Sequence, residues 1–491
     1  MKNSTDKNRL MTKTGLVACS LASLVFVSGA NPHVAQAQTI FADPAAGGLP
    51  PDQLQSDFGG GAPATDDAFS SASPDQSQIT GNGDPAISDD TLTASEGRLN
   101  PAASKVDAGR TGSIGDDEAP GIRLGTAVFR PSLRQSLGHE RTQTGQTKTS
   151  RTYSETELKG TLTSDWLRHQ LRLEGSGLIQ KNIAGTGSED PRLNLNAELR
   201  LDVSRNTTAT LDGGYNFQRE SSTDPNSLSG ASTQSPVHTF NAGISVEHDI
   251  GRLKGTLSAD GLRSVYGDAK FSNGTTVSRS DRDANTGTLA LRLGYQISPV
   301  LTPFVEGSIS RTYYDQKTDS SGYARDSAGW KIRAGLEADF GEKLKGEISG
   351  GYEKMRYADA RLDAISALSV DGSLTWSPQR GTDITLGTST SIKPSTTAGT
   401  SGYVLRTFSA SVSQEVTRRL VARLTGGVGF NDYDSASNST DSRSITAGAG
   451  LTWKVSRYLD VTGDTTWQYD RYTSGAGYHA MTFMAGVTLK R

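Results

Sequence analysis

The chain has little of what builds a water-soluble core or a helical membrane span. Of its 491 residues 34% are hydrophobic and 7% aromatic, and the mean hydropathy is −0.48. That is too little apolar material for the several packed domains such a length would otherwise suggest. Beyond residue 37 no apolar run approaches the roughly 20 residues a membrane helix needs. The single cysteine, Cys19, stands near the N-terminus, so a chain processed after residue 37 has neither disulfides nor thiol chemistry. There is no H-E-x-x-H, no G-x-S-x-G and no acidic calcium loop, and the six histidines are dispersed. No enzymatic activity, metal centre or cofactor is therefore expected. A basic stripe is missing too, which removes nucleic acid as a partner.

What the sequence does have is alternation. In "AGWKIRAGLEADFGEKLKGEISGGYEK" (328–354), Trp330, Ile332, Ala334, Leu336, Ala338 and Phe340 share one parity. Lys331, Arg333, Glu337 and Asp339 share the other. After "GEK" the pattern restarts with Leu344, Ile348 and Tyr352 against Lys345, Glu347 and Glu353. Period 2 on both sides of a short break is the signature of a hairpin whose strands have two unlike faces.

Two regions precede this pattern. Residues 1–37 read as a secretory signal: Lys2, Lys7, Arg9 and Lys13, then the apolar "GLVACSLASLVFVSGA" (15–30), then Ala35-Gln36-Ala37. Met11 as the start would give it more usual proportions. "LVAC" (16–19) resembles a lipoprotein processing box, but the apolar segment follows Cys19 instead of preceding it. Residues 38–120 carry 14 acidic against 3 basic residues and three aromatics, Phe41, Phe58 and Phe69. Such a segment buries too little surface to offset its ordering entropy and is expected to be disordered, in the periplasm.

From residue 121 to 491 the balance is 43 basic to 38 acidic, and alternation continues to the end. Counting "GTAVFRPSLRQSL" (125–137) as the first, 18 strands are expected. Every second connection is short, as in "SRNT", "DIGR", "FGEK" and "TRRL"; the others are longer and polar, as in "SSTDPNSLSGASTQSPV". That describes an antiparallel up-and-down meander with both termini at the short-turn end. Eighteen strands close into a cylinder too wide for side chains to fill. Apolar faces turned inward would line water, whereas turned outward they need hydrocarbon, and a closed barrel leaves no backbone group unpaired in lipid. Together with the secretion signal, this makes the expected fold all-β, a transmembrane antiparallel up-and-down β-barrel. The competing soluble propeller or solenoid requires a repeated motif of 20–50 residues, which is missing.

Two sets of residues follow from the parities. The lumen-facing candidates are Arg130, Arg134, Lys159, Arg172, Arg200, Arg292, Lys331, Arg333, Glu337, Asp339 and Arg423. Trp166, Trp330, Trp376, Trp453 and Trp467 fall on the apolar parity and are expected at the membrane interfaces.

The secretion signal, the acidic lead and the hairpins ending in "MTFMAGVTLKR" resemble proteobacterial outer-membrane barrels of the putative β-barrel porin type 2 family. The resemblance covers about residues 121–491. It implies an outer-membrane location and a pore, with outer-membrane lipids and the barrel-assembly machinery as partners. Family barrels often end in an aromatic residue; this chain ends Leu489-Lys490-Arg491.

Two functions stay open at this stage. The first is a passive channel for small hydrophilic solutes, sugars or a secreted polysaccharide. The second is a non-conducting, adhesin-like barrel whose loops meet an external partner. The longest connection, about 17 residues, is short for the infolded loop that narrows many porins. A constriction is therefore sought in the 38–120 arm, as a plug, against the plainer reading of that arm as a periplasmic tether.

Overall fold

The computed structural model describes residues 119–433, 441–472 and 477–491. The signal peptide and the acidic segment before residue 119 lie outside the described residues. Eighteen long strands follow in order. The first six are β1 (Ala127–Thr144), β2 (Thr147–Ser164), β3 (His169–Gly185), β4 (Arg192–Ser204), β5 (Thr207–Arg219) and β6 (Pro236–Ile250). Next come β7 (Leu253–Tyr266), β8 (Ala284–Tyr295), β9 (Leu301–Tyr314), β10 (Ser327–Asp339), β11 (Leu344–Tyr357) and β12 (Ile365–Gln379). The last are β13 (Thr382–Pro394), β14 (Gly402–Thr417), β15 (Leu420–Tyr433), β16 (Ser442–Ser456), β17 (Leu459–Tyr472) and β18 (Tyr478–Lys490).

Each strand pairs antiparallel with the next in sequence. The ring closes where β1 pairs with β18, from Ser132↔Lys490 to Thr144↔Tyr478. The result is a closed 18-strand antiparallel barrel, as the alternation predicts. Two-residue turns such as 205–206, 251–252 and 418–419 sit at one end, and the long connections 220–235 and 267–283 at the other. One connection at the long-loop end is also tight: Gly145-Gln146 joins β1 to β2, and Gly145 has φ 58°, which glycine adopts without penalty.

The two faces are inverted relative to a soluble protein. Ile332 is 61% exposed, while its neighbours Lys331 and Arg333 are 4% and 2% exposed. The same holds around the ring, with Leu137, Leu158, Ile244, Leu291, Leu368, Leu424 and Phe483 exposed and Arg134, Glu140, Arg151, Glu306 and Asp371 buried. Apolar side chains on the outside of a closed barrel need a hydrocarbon solvent, because water would oppose their exposure at about 25 cal/mol for every Å². The five tryptophans are all exposed with the apolar set. Trp376 and Trp453 lie in the last turns of β12 and β16 at the short-turn end, and Trp330 stands near the long-loop end of β10.

Candidate functional site

The inner wall is an ionic ladder that the alternation builds directly, since residues of like parity on neighbouring strands stand side by side. Arg292 on β8 lies 2.9 Å from Glu306 on β9 and 2.9 Å from Glu347 on β11. Arg333 on β10 lies 2.8 Å from Glu306 and 3.3 Å from Asp371 on β12. Lys331 is 2.6 Å from the same Asp371. On the opposite wall Arg134 reaches Asp464 on β17 at 3.0 Å, and Arg151 on β2 donates to Glu140 on β1 at 2.6 Å. Gln180 continues this line, accepting from Arg151 at 3.3 Å and donating to Glu155 at 2.8 Å.

The remaining predicted positions are half-buried on the same inner parity. Lys159 is 2.9 Å from Glu157, Arg172 pairs with Glu174, and Arg200 lies 3.2 Å from Asp202. Glu337 stands in register with Glu347, and Asp339 with Lys345. Arg130 and Arg423 stand opposite Thr161 and Ser413. The structure thus brings Arg292, Lys331 and Arg333 into one cluster with Glu306, Glu347 and Asp371, and leaves Arg130, Arg172, Arg200 and Arg423 apart from it.

The bore is narrowed by the barrel itself. Pairing between β12 and β13 extends from Gln379↔Thr382 up to Gly372↔Thr388 and stops there. Above that point β13 and β14 remain paired to one another, from Thr388↔Phe408 to Pro394↔Gly402. In this upper part both faces are covered: Thr390, Ser391, Ile392 and Lys393 are buried in succession, as are Gly402, Tyr403 and Val404. Ile392 and Val404, on the parity that faces outward lower down, pack against Met355 and Ala367 of the inner wall. The upper edge of the wall at β13 and β14, with β14 still paired to β15 as far as Tyr403↔Tyr433, has therefore turned into the lumen and lies against the inside of β11 and β12. The 38–120 arm, the plug candidate of the sequence, lies outside the described residues. A hairpin laid inside a barrel keeps its own ladder and alternation, so its sequence reads like wall.

Loops lock the tip in place. Asn226, in the connection between β5 and β6, donates to the Pro394 carbonyl at 3.2 Å and accepts from the Thr396 amide at 2.9 Å. β5 and β13 stand eight strands apart in a ring of 18, so this contact crosses the mouth almost along a diameter. Arg279 donates to the Asn226 carbonyl at 3.0 Å, which holds the 220–235 loop from a third side. Arg325 grips the 395–401 turn, donating to the Thr400 and Thr397 carbonyls at 2.7 and 2.9 Å, and is itself held by Asp319 at 2.7 Å. Asp359 then ties the next loop in, accepting from the Ala324 amide at 3.0 Å and from Arg361 at 2.6 Å. A cavity of about 390 Å³ lies beneath these loops, lined by the hairpin tip at Lys393 and Tyr403 and by Arg151, Arg282, Arg325 and Tyr478.

The loop charges are strongly coupled. Hydrogen bonds from Arg361 and from the Arg361 and Ala324 amides hold the Asp359 carboxyl well below the usual carboxylate range. The Arg263 hydrogen bond likewise lowers Asp315. Burial by itself would lower the Arg282 guanidinium, but Glu220 at 2.5 Å overrides it and holds Arg282 well above its ordinary value. Burial raises Asp283, whose carboxylate accepts from the Tyr266 amide at 2.7 Å.

Comparison with known proteins gives one family and a set of solved structures. A family model described as "Putative beta-barrel porin 2" matches residues 117–491. Among solved structures, Pseudomonas aeruginosa OpdL is 14% identical, over 75% of this chain and 99% of that one, at a TM-score of 0.38. Pseudomonas aeruginosa OpdO is 12% identical over 74% and 97%, at 0.39, and Acinetobacter baumannii OccAB4 12% over 74% and 98%, at 0.38. No curated protein matches.

Proposed function

The chain belongs to the putative beta-barrel porin 2 family, and from that premise we propose a passive outer-membrane channel for small hydrophilic solutes, held narrow at its loop-side mouth by the infolded β13–β14 hairpin. The observation that carries this reading is the inner wall. Charge of both signs at Arg292, Glu306, Lys331, Arg333, Glu347 and Asp371 suits a hydrated bore, and on a lipid face it would cost several kcal/mol per group. Because the signs are interleaved, weak selectivity between ions is expected and neutral polyhydroxylated solutes or sugars fit as well as ionic ones. No bond is made or broken on this route, and no catalytic role is assigned.

Both ends of the barrel chain, Ala127 and Lys490, stand at the short-turn end. That supports a periplasmic position for the residues before 119, with the long loops facing outward. Outer-membrane lipids and the barrel-assembly machinery are the partners this location implies. Planar-bilayer recording of the refolded full chain, together with liposome swelling in neutral and charged sugars, tests the proposal. Stable single-channel steps and size-dependent swelling support it; a folded barrel silent in both assays would favour the adhesin-like alternative.

A further inference from the structure

A second set of cations stands on the other, exposed face of the barrel. Ala328 of β10 is the register partner of both Arg311 on β9 and Arg356 on β11. One pleat below, Trp330 is the partner of both Ile309 and Lys354. Arg311, Lys354 and Arg356 therefore gather around one small residue, with the two arginine stems about 10 Å apart across a single strand. Among the described residues none of the three has a carboxylate partner; Arg311 donates to the Tyr313 hydroxyl at 3.3 Å. Their parity is the lipid-facing one, shared with the exposed Ile309, Ile332 and Ile348.

Depth decides what this patch meets. Directly beneath it the Trp330 and Tyr352 rings lie 5.7 Å apart, the kind of amphipathic pair that settles at headgroup level. At the other end of the same strands this face carries Leu301, Pro303, Leu344 and Gly346, with no lysine or arginine. Around the ring the pattern recurs at the same end, where Arg443 and Arg471 face each other across β16 and β17. Like charges set side by side are unfavourable unless an anion lies between them.

We infer that Arg311, Lys354 and Arg356 form a binding site for the phosphate groups of an anionic glycolipid in the leaflet at the long-loop end. The inference rests on the membrane orientation proposed above. A soluble phosphate would meet the same three charges but would gain nothing from their setting on the Trp330–Tyr352 pair at the hydrocarbon boundary. The lipid supplies both: phosphates for the cations and acyl chains for Ile309 and Ile332.

The test uses the full chain refolded into phosphatidylcholine nanodiscs. Binding of lipopolysaccharide and of inorganic phosphate is titrated for the wild type, for R311Q/K354Q/R356Q and for R311K/R356K. At roughly a factor of five per cation near a membrane surface, the triple variant should bind lipopolysaccharide on the order of a hundredfold more weakly, and the lysine variant should stay near the wild type. Undiminished lipopolysaccharide binding by the triple variant overturns the site. Inorganic phosphate binding as tightly as the lipid overturns the lipid assignment. Conductance of the triple variant is recorded in parallel: unchanged channel activity separates failure of this patch from failure of the barrel reading.

Discussion

Replacing Asn226 by alanine removes the contact that spans the mouth. Its side chain makes two well-placed hydrogen bonds to the hairpin, at 3.2 Å to the Pro394 carbonyl and 2.9 Å to the Thr396 amide, and a longer one from the Thr396 hydroxyl at 3.3 Å. At about 1 kcal/mol net for each of the first two, the clasped arrangement loses about 2 kcal/mol. That is roughly a 30-fold fall in the ratio of clasped to released tip. The loop itself should stay in place, because Arg279 binds the backbone carbonyl of Asn226, which the substitution leaves intact. The expected phenotype is a channel with longer openings and a higher mean conductance in planar bilayers. Asn226→Asp, which keeps the acceptor for Thr396 and loses the donor to Pro394, should fall between the two. Heat-modifiable migration on gels reports whether the barrel is intact in each variant. An intact Asn226→Ala barrel with wild-type conductance and dwell times would refute the clasp, and the hairpin would then have to be a fixed part of the wall.

Leu291→Lys, near the middle of β8 on the exposed face, should destabilise the folded barrel by about 2–4 kcal/mol in a urea titration with lipid vesicles, and an unchanged midpoint would contradict the outward orientation. R292Q/R333Q removes both arginines from Glu306, Arg292 from Glu347 and Arg333 from Asp371, which keeps Lys331, and should move the reversal potential in a salt gradient toward cation preference. Because removing one side of a buried pair is costly, the same variant should also lose about 3 kcal/mol or more of stability. Acid should open the channel in a defined window. The Asp359 value in the folded chain lies below that of the unfolded chain, so its contribution is complete above about pH 4 and is lost as the pH falls toward the lowered value. The Asp359-dependent part of the conductance, read as the difference between the wild type and Asp359→Asn, should therefore be constant from pH 7 to about 4 and shrink below it, with Asp359→Asn showing the raised conductance already at neutral pH.

Much of this barrel was legible because a strand with two solvents writes its orientation into every residue. Ile332 between Lys331 and Arg333 fixes which face is which, and the alternation of two-residue turns with long connections fixes the topology. The ionic pairs were legible only as parity. That Arg292 would bridge to Glu347, past β9 and β10, depends on side-chain reach across a curved wall, which no spacing encodes. The infolded tip was hidden because hydrogen bonding within β13 and β14 is the same inside the lumen as in the wall. One trace of it exists in the sequence. Thr388 and Thr390 occupy the parity where Ile384 and Leu386 face lipid, so the outer face turns polar at the residue where pairing with β12 stops.

That seam raises a physical problem whose solution links wall and tip. Strand edges in a membrane cannot be left without partners, yet β12 above Gly372 has lost its neighbour on one side. Side chains replace the missing ladder. The Val370 amide donates to the Thr390 hydroxyl at 3.1 Å, and the Thr390 amide donates to Asp371 at 3.0 Å. Asp371 is the same carboxylate that holds Lys331 and Arg333. One buried group thus terminates the ionic ladder and anchors the hairpin, so neither can move without disturbing the other.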